Sequence, residues 1–447
     1  MTDLIISVSG LRGVVGKDLT PEVAARYACA YAAGQPDGPL VLARDGRGTG
    51  RMLVDTIRGA LLAVGRNVLD AEVAATPTVG VLVRDHVAAG AIQVTASHNP
   101  PQYNGIKLFS PEGQVLSADA GEQVMARYRL AHGAWVDYQH IGQARTIDDT
   151  THRHLEMLLA TIDSAPIRQR RFGVLLDSNH GSGSLLGQRL LKALGCRVSM
   201  VGGQPDGLFA HPPEPTAENL AGVCREIVAA RADIGFCQDP DADRLAVIDE
   251  QGRYIGEEYT LALCLDQVLR SRSGPVVTNC STSRMAEDLA GKYGVPFLRS
   301  PVGEANVVRM MLEHGAVFGG EGNGGPIDPQ VGHIRDSFVG MVWILYAMAC
   351  RGLPVSRLVS ELPRYEICKT KQEVPRKAIP KALHALEKHF ADARSDRLDG
   401  LRLDWPGKWL LIRASNTEPI VRIVAEAATA AEARQLCADA SRVLARR

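Results

Sequence analysis

Predominantly apolar runs alternate with helical segments along most of this chain, and the alternation limits the possible folds more than any other feature. The runs at 39–43, 171–177 and 275–278 are short and rich in Val and Leu, as expected for strands buried in a parallel sheet. A turn rich in Gly, Asp or Ser follows each run, and a helical segment follows the turn. Because this cycle occurs three times at roughly the spacing of domains, it predicts three similar α/β units.

The sequence changes character near Val374. A helix rich in Lys, Glu and Leu is predicted over 382–390, and strands are predicted over 401–404 and 409–412. A final helix over 430–445 completes a small unit of mixed α+β type. We therefore predict four domains. Their predicted ranges are 1–150, 151–253, 254–370 and 371–447.

The charge balance and the low aromatic content exclude several classes of partner. Lys plus Arg and Asp plus Glu each number 50, so the formal net charge is zero. Without a basic excess we expect neither nucleic acid nor an anionic membrane as a partner, and any affinity for phosphate must be local. Aromatic residues make up only 5% of the chain, which also argues against stacking platforms for single-stranded nucleic acid.

The nine cysteines predict a reducing compartment. They are widely spaced, odd in number and never paired as C-x-x-C, which indicates free thiols and no zinc site. The residues after Met1 lack the basic and apolar pattern of a signal peptide. The longest apolar run, 338–350, is too short to cross a bilayer and is typical of a buried helix. We therefore expect a cytoplasmic protein.

A serine loop follows the apolar run 91–94. It reads Thr-Ala-Ser-His-Asn-Pro over 95–100, and it places the Ser97 hydroxyl next to the His98 imidazole, with the Lys107 amine ten residues on. The prolines and the Asn-Gly pair that follow break regular structure, so we expect a rigid, exposed loop. Such a loop suits group-transfer chemistry. From these residues alone, a surface turn whose serine caps a helix is an equally open interpretation.

Three carboxylates alternate along the segment 238–244, at Asp239, Asp241 and Asp243. On a helix they would not share a face, but in the extended or looped backbone that a neighbouring proline favours they can converge. Three hard oxygen anions at one point need a cation, and Mg²⁺ is the natural choice. An EF-hand is excluded because Arg244 occupies the loop position that requires Gly. A solvated acidic turn is the remaining alternative.

Two further segments are rich in groups that bind phosphate or sugar. In 411–422, Arg413 and Arg422 flank a turn of hydroxyl and amide residues, which suits a bound phosphate or, alternatively, a polar hairpin with surface arginines. In 319–325, five glycines surround Glu321 and Asn323, and such a loop permits close approach of a ligand or is only a flexible connection.

In this order, these segments resemble the motifs of the α-D-phosphohexomutase family over nearly the whole chain. The matching pieces are the Gly-Leu-Arg-Gly segment around Arg12, the serine loop, the Asp-x-Asp-x-Asp-Arg segment, the Gly-Glu segment and the Arg-x-Ser-x-Thr-Glu-Pro segment. The resemblance implies an α/β fold of three related domains with mixed sheets, plus a smaller C-terminal α+β domain, around a central cleft. It also implies an isomerase that moves a phosphoryl group within a hexose phosphate.

The resemblance further implies roles for individual residues. Ser97 would be a phosphoserine, and Asp239, Asp241 and Asp243 would hold one Mg²⁺ together with an oxygen of that phosphoserine. Arg12 and Lys107 would contact the reacting phosphoryl group, and Lys107 or His98 would shuttle the proton. The substrate-binding residues implied are Arg244, Glu321, Asn323, Arg413, Ser415, Asn416, Thr417 and Arg422. A hexose 1,6-bisphosphate would be both the intermediate and the activator.

The chain departs from the family pattern at two positions. Many hexose-phosphate mutases read Gly-Glu-x-Ser-Gly/Ala-His in the sugar loop, whereas 320–325 here reads Gly-Glu-Gly-Asn-Gly-Gly and lacks the histidine. Asn416 stands where Gly is usual in the phosphate loop. Both variants resemble the branch with archaeal-type phosphoglucosamine mutases and bifunctional phosphomannomutase/phosphoglucomutases. We therefore expect a phosphoglucosamine substrate first, and glucose or mannose phosphate as the alternative.

Two hypotheses from other functional classes remain open at this point. A phosphatase would use the same phosphoserine and metal with water as the acceptor. A catalytically silent protein would bind a sugar phosphate without turning it over. In every case the expected partner is a hexose or hexosamine phosphate, with no nucleic acid and no membrane, and the sequence leaves open whether the chain is a monomer or a homo-oligomer.

Overall fold

The computed structural model describes residues 5–7, 10–130, 135–414 and 420–445, which form four sheets with their helices. The predicted α/β class is confirmed: three α/β domains with mixed sheets precede an antiparallel C-terminal domain. The helix start expected from the cap residue Thr20 and from Pro21 is present, since the Thr20 side chain accepts a hydrogen bond from the amide of Val23.

Domain I is built on a seven-stranded sheet with the order β1-β2-β6-β5-β3-β4-β7. Its strands are β1 (Ile5–Ser7), β2 (Gly10–Val14), β3 (Leu40–Arg44), β4 (Val68–Val73), β5 (Gly90–Val94), β6 (Tyr103–Phe109) and β7 (Ala144–Thr146). Its helices are α1 (Pro21–Ala32), α2 (Gly50–Ala63), α3 (Thr76–Asp85) and α4 (Ala118–Leu130). Separate apolar clusters cover the two faces of this sheet, which explains why β3 and β5 are apolar at nearly every position.

Domains II and III each contain a four-stranded sheet. The elements of domain II are α5 (His152–Ala160), α6 (Ala165–Arg170), β8 (Gly173–Asp177), α7 (Gly183–Ala193), β9 (Arg197–Val201), α8 (Ala221–Ala230), β10 (Ile234–Gln238) and β11 (Leu245–Asp249). Those of domain III are α9 (Glu257–Val268), β12 (Val276–Asn279), α10 (Met285–Tyr293), β13 (Phe297–Ser300), α11 (Glu304–His314), β14 (Phe318–Glu321), β15 (Gly325–Ile327), α12 (Ser337–Arg351) and α13 (Val355–Ser360).

The C-terminal domain is a five-stranded antiparallel sheet with the order β16-β20-β19-β18-β17. Its elements are β16 (Glu366–Glu373), a 3₁₀ turn (Arg376–Ala378), α14 (Ile379–His389), β17 (Arg394–Asp396), β18 (Leu401–Trp405), β19 (Lys408–Ala414), β20 (Ile420–Ala427) and α15 (Ala430–Ala445). Strand β16 spans the boundary predicted at 370/371. The predicted domain boundaries remain predictions.

The same four-stranded unit recurs in the first three sheets. Its order is β4-β3-β5-β6 in domain I, β9-β8-β10-β11 in domain II and β13-β12-β14-β15 in domain III. In each unit the first three strands along the chain are parallel, and the fourth returns antiparallel beside the third. The three similar units predicted from the sequence therefore share one topology, and each contains one hairpin between its third and fourth strands.

Helix α12 joins domains II and III into one hydrophobic core. It packs against α9 and α6, and Phe338 and Trp343 on it are almost fully buried. This is the apolar run at 338–350, which was expected to be a buried helix. Among the described residues, no helix is long and apolar enough to cross a membrane.

The start of α12 is fixed by a buried polar chain that connects it to domain I. Asp336 caps the helix by accepting hydrogen bonds from the amides of Phe338 and Val339. Its other oxygen lies 2.7 Å from Nε2 of the fully buried His154, whose Nδ1 is 2.9 Å from the Thr78 hydroxyl on α3. Asp336 therefore both caps α12 and partners a buried imidazole.

We expect Asp336→Ala to lower the free energy of unfolding by about 2–4 kcal/mol, because it removes a cap and leaves the buried imidazole without its acceptor. Asp336→Asn keeps one acceptor oxygen, which can still cap the helix amides, and should cost less. Thermal denaturation measures the effect, and the cap variant Thr20→Ala, which leaves no buried group unpartnered, is the control. Equal, small decreases in Tm for Asp336→Ala and Thr20→Ala would contradict the prediction.

Candidate active site

Each of the three related sheets presents a predicted site segment at the equivalent hairpin. The connection from β5 to β6 carries Ser97, and the connection from β10 to β11 carries the three aspartates. Strand β14 ends at Glu321, directly before its turn into β15. The chain thus uses one position of a repeated unit for a hydroxyl, an acidic cluster and a single carboxylate. Two hydrogen bonds between domains and one within domain III connect these groups.

Asp239, Asp241 and Asp243 converge as the sequence predicted. One carboxylate oxygen from each lies within 4.8 Å of the others, and all three side chains are fully buried. The loop achieves this convergence with an unusual backbone, since Ala242 has a φ of 57°, in the left-handed region that side chains rarely adopt. The alternative of a solvated acidic turn is therefore excluded by the burial of the triad.

Two cations from two other domains compensate the triad. Lys107 Nζ on β6 lies 2.6 Å from Asp241 Oδ2 and 2.7 Å from Asp243 Oδ2. Arg335 Nη2, just before α12, donates to Asp243 Oδ2 at 2.6 Å. Thr76, at the start of α3, donates through its hydroxyl to Asp241 Oδ2 at 2.7 Å. The triad is thus the point where domains I, II and III meet.

The three carboxylates differ in pKa because the cations are distributed unevenly. Burial would raise the pKa of Asp243, but the charges of Arg335 and Lys107 hold it well below its usual value. Lys107 similarly keeps the pKa of Asp241 low against its burial. Burial and the two neighbouring aspartates raise the pKa of Asp239 well above its usual value. Of the three carboxylates, Asp239 therefore receives the least compensation from neighbouring positive charge.

The residues present fit a divalent cation. Asp241 Oδ1 and Asp243 Oδ1 are buried and have no hydrogen-bond partner among the described residues. Buried carboxylate oxygens without partners are costly, and they are the ligand atoms that Mg²⁺ prefers. Together with a carboxylate oxygen of Asp239, they form an oxygen-only donor set suited to a hard ion.

Ser97 lies against the triad. The prediction that its loop is exposed was therefore wrong for this residue. Its side chain is only 3% exposed, and its hydroxyl donates to Asp239 Oδ2 at 2.7 Å. Its φ of 49° is strained for a residue with a Cβ, and the hydrogen bond from its amide to the Thr95 hydroxyl helps to hold it. Only the later part of the loop, from Pro100 to Gln102, is exposed.

His98 and Arg12 flank the serine. His98 Nδ1 is 3.3 Å from Ser97 Oγ, and burial, with the nearby Arg244 and Arg12 charges, lowers the pKa of His98 to about 3. The imidazole is therefore neutral near pH 7. Arg12 donates to the Asn99 side chain at 2.7 Å, which connects β2 to the serine loop. The loop thus holds a neutral imidazole next to the hydroxyl, and the Arg12 guanidinium from β2 contacts the loop two residues beyond Ser97.

Arg47 holds the serine loop in place, and the sequence analysis did not identify it. Its side chain is almost fully buried after β3, and its guanidinium ion-pairs with Asp45 at 3.1 Å. The same guanidinium donates to four backbone carbonyls of the loop, those of Ser97 (2.6 Å), Asn99 (2.6 Å), Pro100 (2.9 Å) and Tyr103 (3.1 Å). No local pattern marks this role, because the acceptors lie some fifty residues away in the chain.

The glycine-rich segment is not a flexible loop. Its first two glycines belong to β14 and Gly325 begins β15, so only 322–324 form the turn. The glycines are needed for packing inside the protein: a Cβ on Gly322 would lie 1.9 Å from Glu258 Oε2, and one on Gly324 would lie 2.3 Å from the Leu245 carbonyl oxygen. These contacts explain the glycines without a ligand.

Glu321 is held rigidly where the glycine-rich segment turns. Its Oε1 accepts hydrogen bonds from Asn279 Nδ2 at 2.7 Å and from the Gly303 amide at 3.1 Å, and its Oε2 accepts from Arg335 Nη1 at 2.9 Å. Arg335 therefore links Glu321 to Asp243, and it too was missed by the sequence analysis. Beside this group, Asn323 Oδ1 and Arg244 Nε are buried polar atoms without a hydrogen-bond partner among the described residues.

The predicted phosphate segment is described only in part. Arg413 and Arg422 face each other across the β19–β20 pair, in direct register. Arg413 lies 3.1 Å from Asp399, which also accepts a hydrogen bond from the Val302 amide of domain III, whereas Arg422 is exposed. The remaining predicted members, Ser415, Asn416 and Thr417, lie outside the described residues.

Glu258, beneath the glycine-rich turn, is only partly exposed, and desolvation of its carboxyl raises its pKa to about 8. The folded protein therefore favours its protonated form. The stability it contributes is complete below the pKa of about 4.3 expected for an unfolded glutamate, and is lost as the pH rises toward 8.

We expect the Tm of Glu258→Gln to rise relative to wild type as the pH increases from 5 to 9, because Gln avoids ionisation of a desolvated carboxyl. Thermal denaturation across this range tests it. Glu112→Gln, at an exposed position, controls for the loss of a charge. A Tm difference between Glu258→Gln and wild type that does not change with pH would refute the prediction.

We expect Arg47→Lys to loosen the serine loop, because one ammonium group cannot serve four carbonyls and each unpartnered buried carbonyl costs about 1–3 kcal/mol. Amide hydrogen exchange of the segment 95–103 should become faster. Arg58→Lys, which alters ion pairs to Asp55 and Asp70 in the same domain, is the matched control. Unchanged exchange in 95–103 would show that Arg47 does not hold the loop.

The four domains match four family descriptions in order. These are phosphoglucomutase/phosphomannomutase alpha/beta/alpha domains I, II and III, over residues 4–132, 152–252 and 257–365, and the C-terminal domain over 370–443. The match thus extends over most of the chain and includes each of the site segments.

Individual proteins agree with this assignment. A phosphoglucomutase/phosphomannomutase of Thermococcus kodakarensis is 38% identical over 436 residues, covering 95% of both chains. A probable phosphoglucosamine mutase of Methanopyrus kandleri is 33% identical, covering 96% of this chain and 95% of its own. The crystal structure of a phosphoglucomutase/phosphomannomutase family protein from Burkholderia thailandensis has a TM-score of 0.85 at 28% identity, covering 98% of this chain and 96% of its own. The chain belongs to the phosphoglucomutase/phosphomannomutase family, the α-D-phosphohexomutases, which are intramolecular phosphotransferases of the isomerase class.

Proposed function

We propose that this phosphohexomutase moves a phosphoryl group between the 6- and 1-positions of a hexosamine phosphate, with glucosamine phosphate as the preferred substrate. The reaction would pass through a phosphoserine at Ser97 and a sugar bisphosphate. One observation carries the proposal. The Ser97 hydroxyl lies 2.7 Å from Asp239, so a group able to carry a phosphoryl is held against a buried triad of carboxylates.

The phosphohexomutase family depends on Mg²⁺ and uses a sugar bisphosphate as an activator. In this chain Asp239, Asp241 and Asp243 would hold one Mg²⁺, with a phosphoserine oxygen on Ser97 as a further ligand. The bound ion supplies neutralisation of the negative charge on the transferring phosphoryl group. Lys107 and Arg12 would add positive charge at the same phosphoryl group, and Lys107 suits this role because Asp241 and Asp243 keep it protonated against its burial by raising its pKa.

In the first transfer, a sugar hydroxyl would attack the phosphorus atom on Ser97. The bond from phosphorus to Ser97 Oγ breaks, a bond from phosphorus to the sugar oxygen forms, and the hydroxyl proton ends on Oγ. We assign the relay of this proton to His98, since its neutral imidazole lies 3.3 Å from Oγ. In this first transfer the serine is the phosphoryl donor, so its hydroxyl needs no activating base.

The second transfer requires the bisphosphate to turn within the cleft. Its other phosphate would then return to Ser97 by the reverse chemistry. Glu321 and Asn323 would hold the sugar hydroxyls, and the unpartnered Asn323 Oδ1 and Arg244 Nε are suited to receive polar groups of the ligand. The groups that would hold the phosphate not reacting are Arg413, Ser415, Asn416, Thr417 and Arg422.

The preference for a hexosamine is supported by acidic groups around the glycine-rich turn. Glu257 and Glu258, at the start of α9, are only partly exposed, and the buried Glu257 Oε1 has no hydrogen-bond partner among the described residues. A cationic 2-amino group beside these carboxyls would favour their ionised forms and pair with them. Glucose or mannose phosphate is the second candidate, favoured by the 38% identity to the Thermococcus enzyme. A phosphatase is less favoured because a hydrolase needs no residues that hold an intermediate while it turns.

We propose a cytoplasmic location for the enzyme. All nine cysteines are free thiols in the described part of the chain, as expected in a reducing compartment. The proposed partner is the sugar phosphate itself, and neither nucleic acid nor a membrane is part of the proposal. Monomer and homo-oligomer both remain compatible with it.

We expect Ser97→Ala to abolish isomerisation, since the phosphoryl group then has no carrier, while the variant should still bind sugar phosphate. Conversion of 6-phosphates to 1-phosphates is measured with Mg²⁺ and catalytic bisphosphate, and removal of divalent cations with EDTA should also stop it. Turnover near the wild-type rate in Ser97→Ala would exclude Ser97 as the carrier.

The same assay, run in parallel on glucosamine, glucose and mannose 6-phosphates, identifies the preferred sugar. The proposal predicts the highest kcat/KM for glucosamine 6-phosphate, and a higher value for either hexose would assign the second candidate instead. Release of inorganic phosphate without isomerised sugar would indicate a phosphatase, and binding of sugar phosphate without any conversion would indicate a silent binding protein.

A further inference from the structure

Arg335 is the most heavily paired side chain between the acidic triad and the glycine-rich turn. It lies just before α12 and is only 10% exposed. Every nitrogen of its guanidinium contacts a different carboxylate: Nη2 lies 2.6 Å from Asp243, Nη1 lies 2.9 Å from Glu321, and Nε lies 3.2 Å from Glu304. These partners come from the β10–β11 loop, the end of β14 and the start of α11, so one side chain connects domain II to two elements of domain III.

The contacts depend on the shape of a guanidinium as well as on its charge. The planar fork of arginine directs several donors to different acceptors at once, whereas an ammonium group is a single point. The Arg335 amide also donates to Glu304 Oε1 at 2.7 Å, which fixes the start of the side chain. The distance between Asp243 and Glu321 is therefore set by a rigid group anchored at three points.

Gly325 provides the space that Arg335 occupies. A Cβ on Gly325 would lie 2.4 Å from Cδ of Arg335 and 2.9 Å from its Cγ, closer than non-bonded atoms approach. The backbone of Gly325 is not in the left-handed region, so the position needs glycine for room and not for conformation. Position 325 is also where the sequence lacks the histidine of many relatives. Arg335 takes up the volume in which a side chain from position 325 would begin.

We propose that Arg335 is a positioning residue for phosphoryl transfer, which fixes the sugar-binding carboxylate Glu321 relative to the acidic triad, and that Gly325 is required to admit it. The proposal rests on the proposed function, because it uses the sugar role of Glu321 and the metal role of Asp243. One consequence follows from the shared guanidinium. Occupation of the triad by a cation and occupation of Glu321 by a sugar should influence each other's affinity.

The decisive variant is Gly325→Ala, which keeps every charge and adds one methyl group against the Arg335 stem. Its matched control is Gly332→Ala, a buried glycine in the same connection whose added Cβ would lie 2.8 Å from Arg84, away from the carboxylates. Arg335→Lys keeps the charge but loses the fork, and Arg272→Lys, which alters the ion pair to Asp328 in the same domain, is its control. Circular dichroism and Tm establish that each variant is folded.

We expect Gly325→Ala and Arg335→Lys each to raise the KM and the calorimetric Kd for glucosamine 6-phosphate by about tenfold, the usual cost of a weakened hydrogen bond to a charged group. Gly332→Ala and Arg272→Lys should leave both values within about twofold of wild type. In the Arg335→Ala background, adding Gly325→Ala should cause no further loss of sugar affinity, because the side chain that it displaces is gone.

Cation binding gives a readout that does not require turnover. Mn²⁺ titrated into the protein, followed by electron paramagnetic resonance, should have a Kd that changes when glucosamine 6-phosphate is added to wild type, and this change should be lost in Arg335→Lys. If Gly325→Ala and Arg335→Lys bind sugar phosphate and Mn²⁺ as wild type does, Arg335 is not a positioning residue.

The proposal and the proposed function fail in different ways. Wild-type protein that isomerises no hexose phosphate would refute the function. The effect of Arg335 on Mn²⁺ affinity, and its dependence on Gly325, would still be measurable in that protein. If the variants at positions 325 and 335 have a lower Tm but an unchanged KM and Kd for glucosamine 6-phosphate, Arg335 has a structural role only. That result would overturn the proposal.

Discussion

The burial of three carboxylates at one point is the constraint on which the rest of the structure depends. Asp239, Asp241 and Asp243 are fully buried, and a group of anions removed from water is stable only if positive charge or a bound cation lies beside it. The chain supplies Lys107 from domain I and Arg335 from domain III, and two carboxylate oxygens have no hydrogen-bond partner among the residues that the structure describes. Three domains are thereby drawn to one point, and the part left uncompensated is the part suited to a divalent ion.

The repeated topology explains how the site can be assembled from distant segments. In each α/β domain the third parallel strand turns back into an antiparallel fourth, and that hairpin carries the serine, the triad or the glutamate. Side chains at strand ends and turns can face a cleft without interrupting a sheet. Three copies of one hairpin therefore present three different chemical groups at equivalent positions of the repeated unit. The antiparallel C-terminal domain adds a fourth group, the pair Arg413 and Arg422, which lie in register on neighbouring strands.

Side chains with no recognisable sequence pattern hold this arrangement rigid. Arg47 binds the serine loop through four carbonyls, and Arg335 ties Asp243 to Glu321. Sequence reasoning identified the chemical groups because they are clustered: three aspartates alternate, and a serine precedes a histidine. It missed both arginines because their partners are far away along the chain. It was wrong about the exposure of Ser97, since a loop rich in turn residues is ordinarily on the surface.

The sequence by itself determined the α/β class, the three similar units, the small C-terminal domain and the convergence of the three aspartates, because these depend on local periodicity and spacing. Only the tertiary structure decided what surrounds those groups. It placed Ser97 in contact with Asp239, made His98 neutral through burial, and used the glycines of 319–325 for internal packing. Charge compensation, burial and steric room depend on which distant residues become neighbours in the fold. Local sequence patterns do not reveal these neighbours.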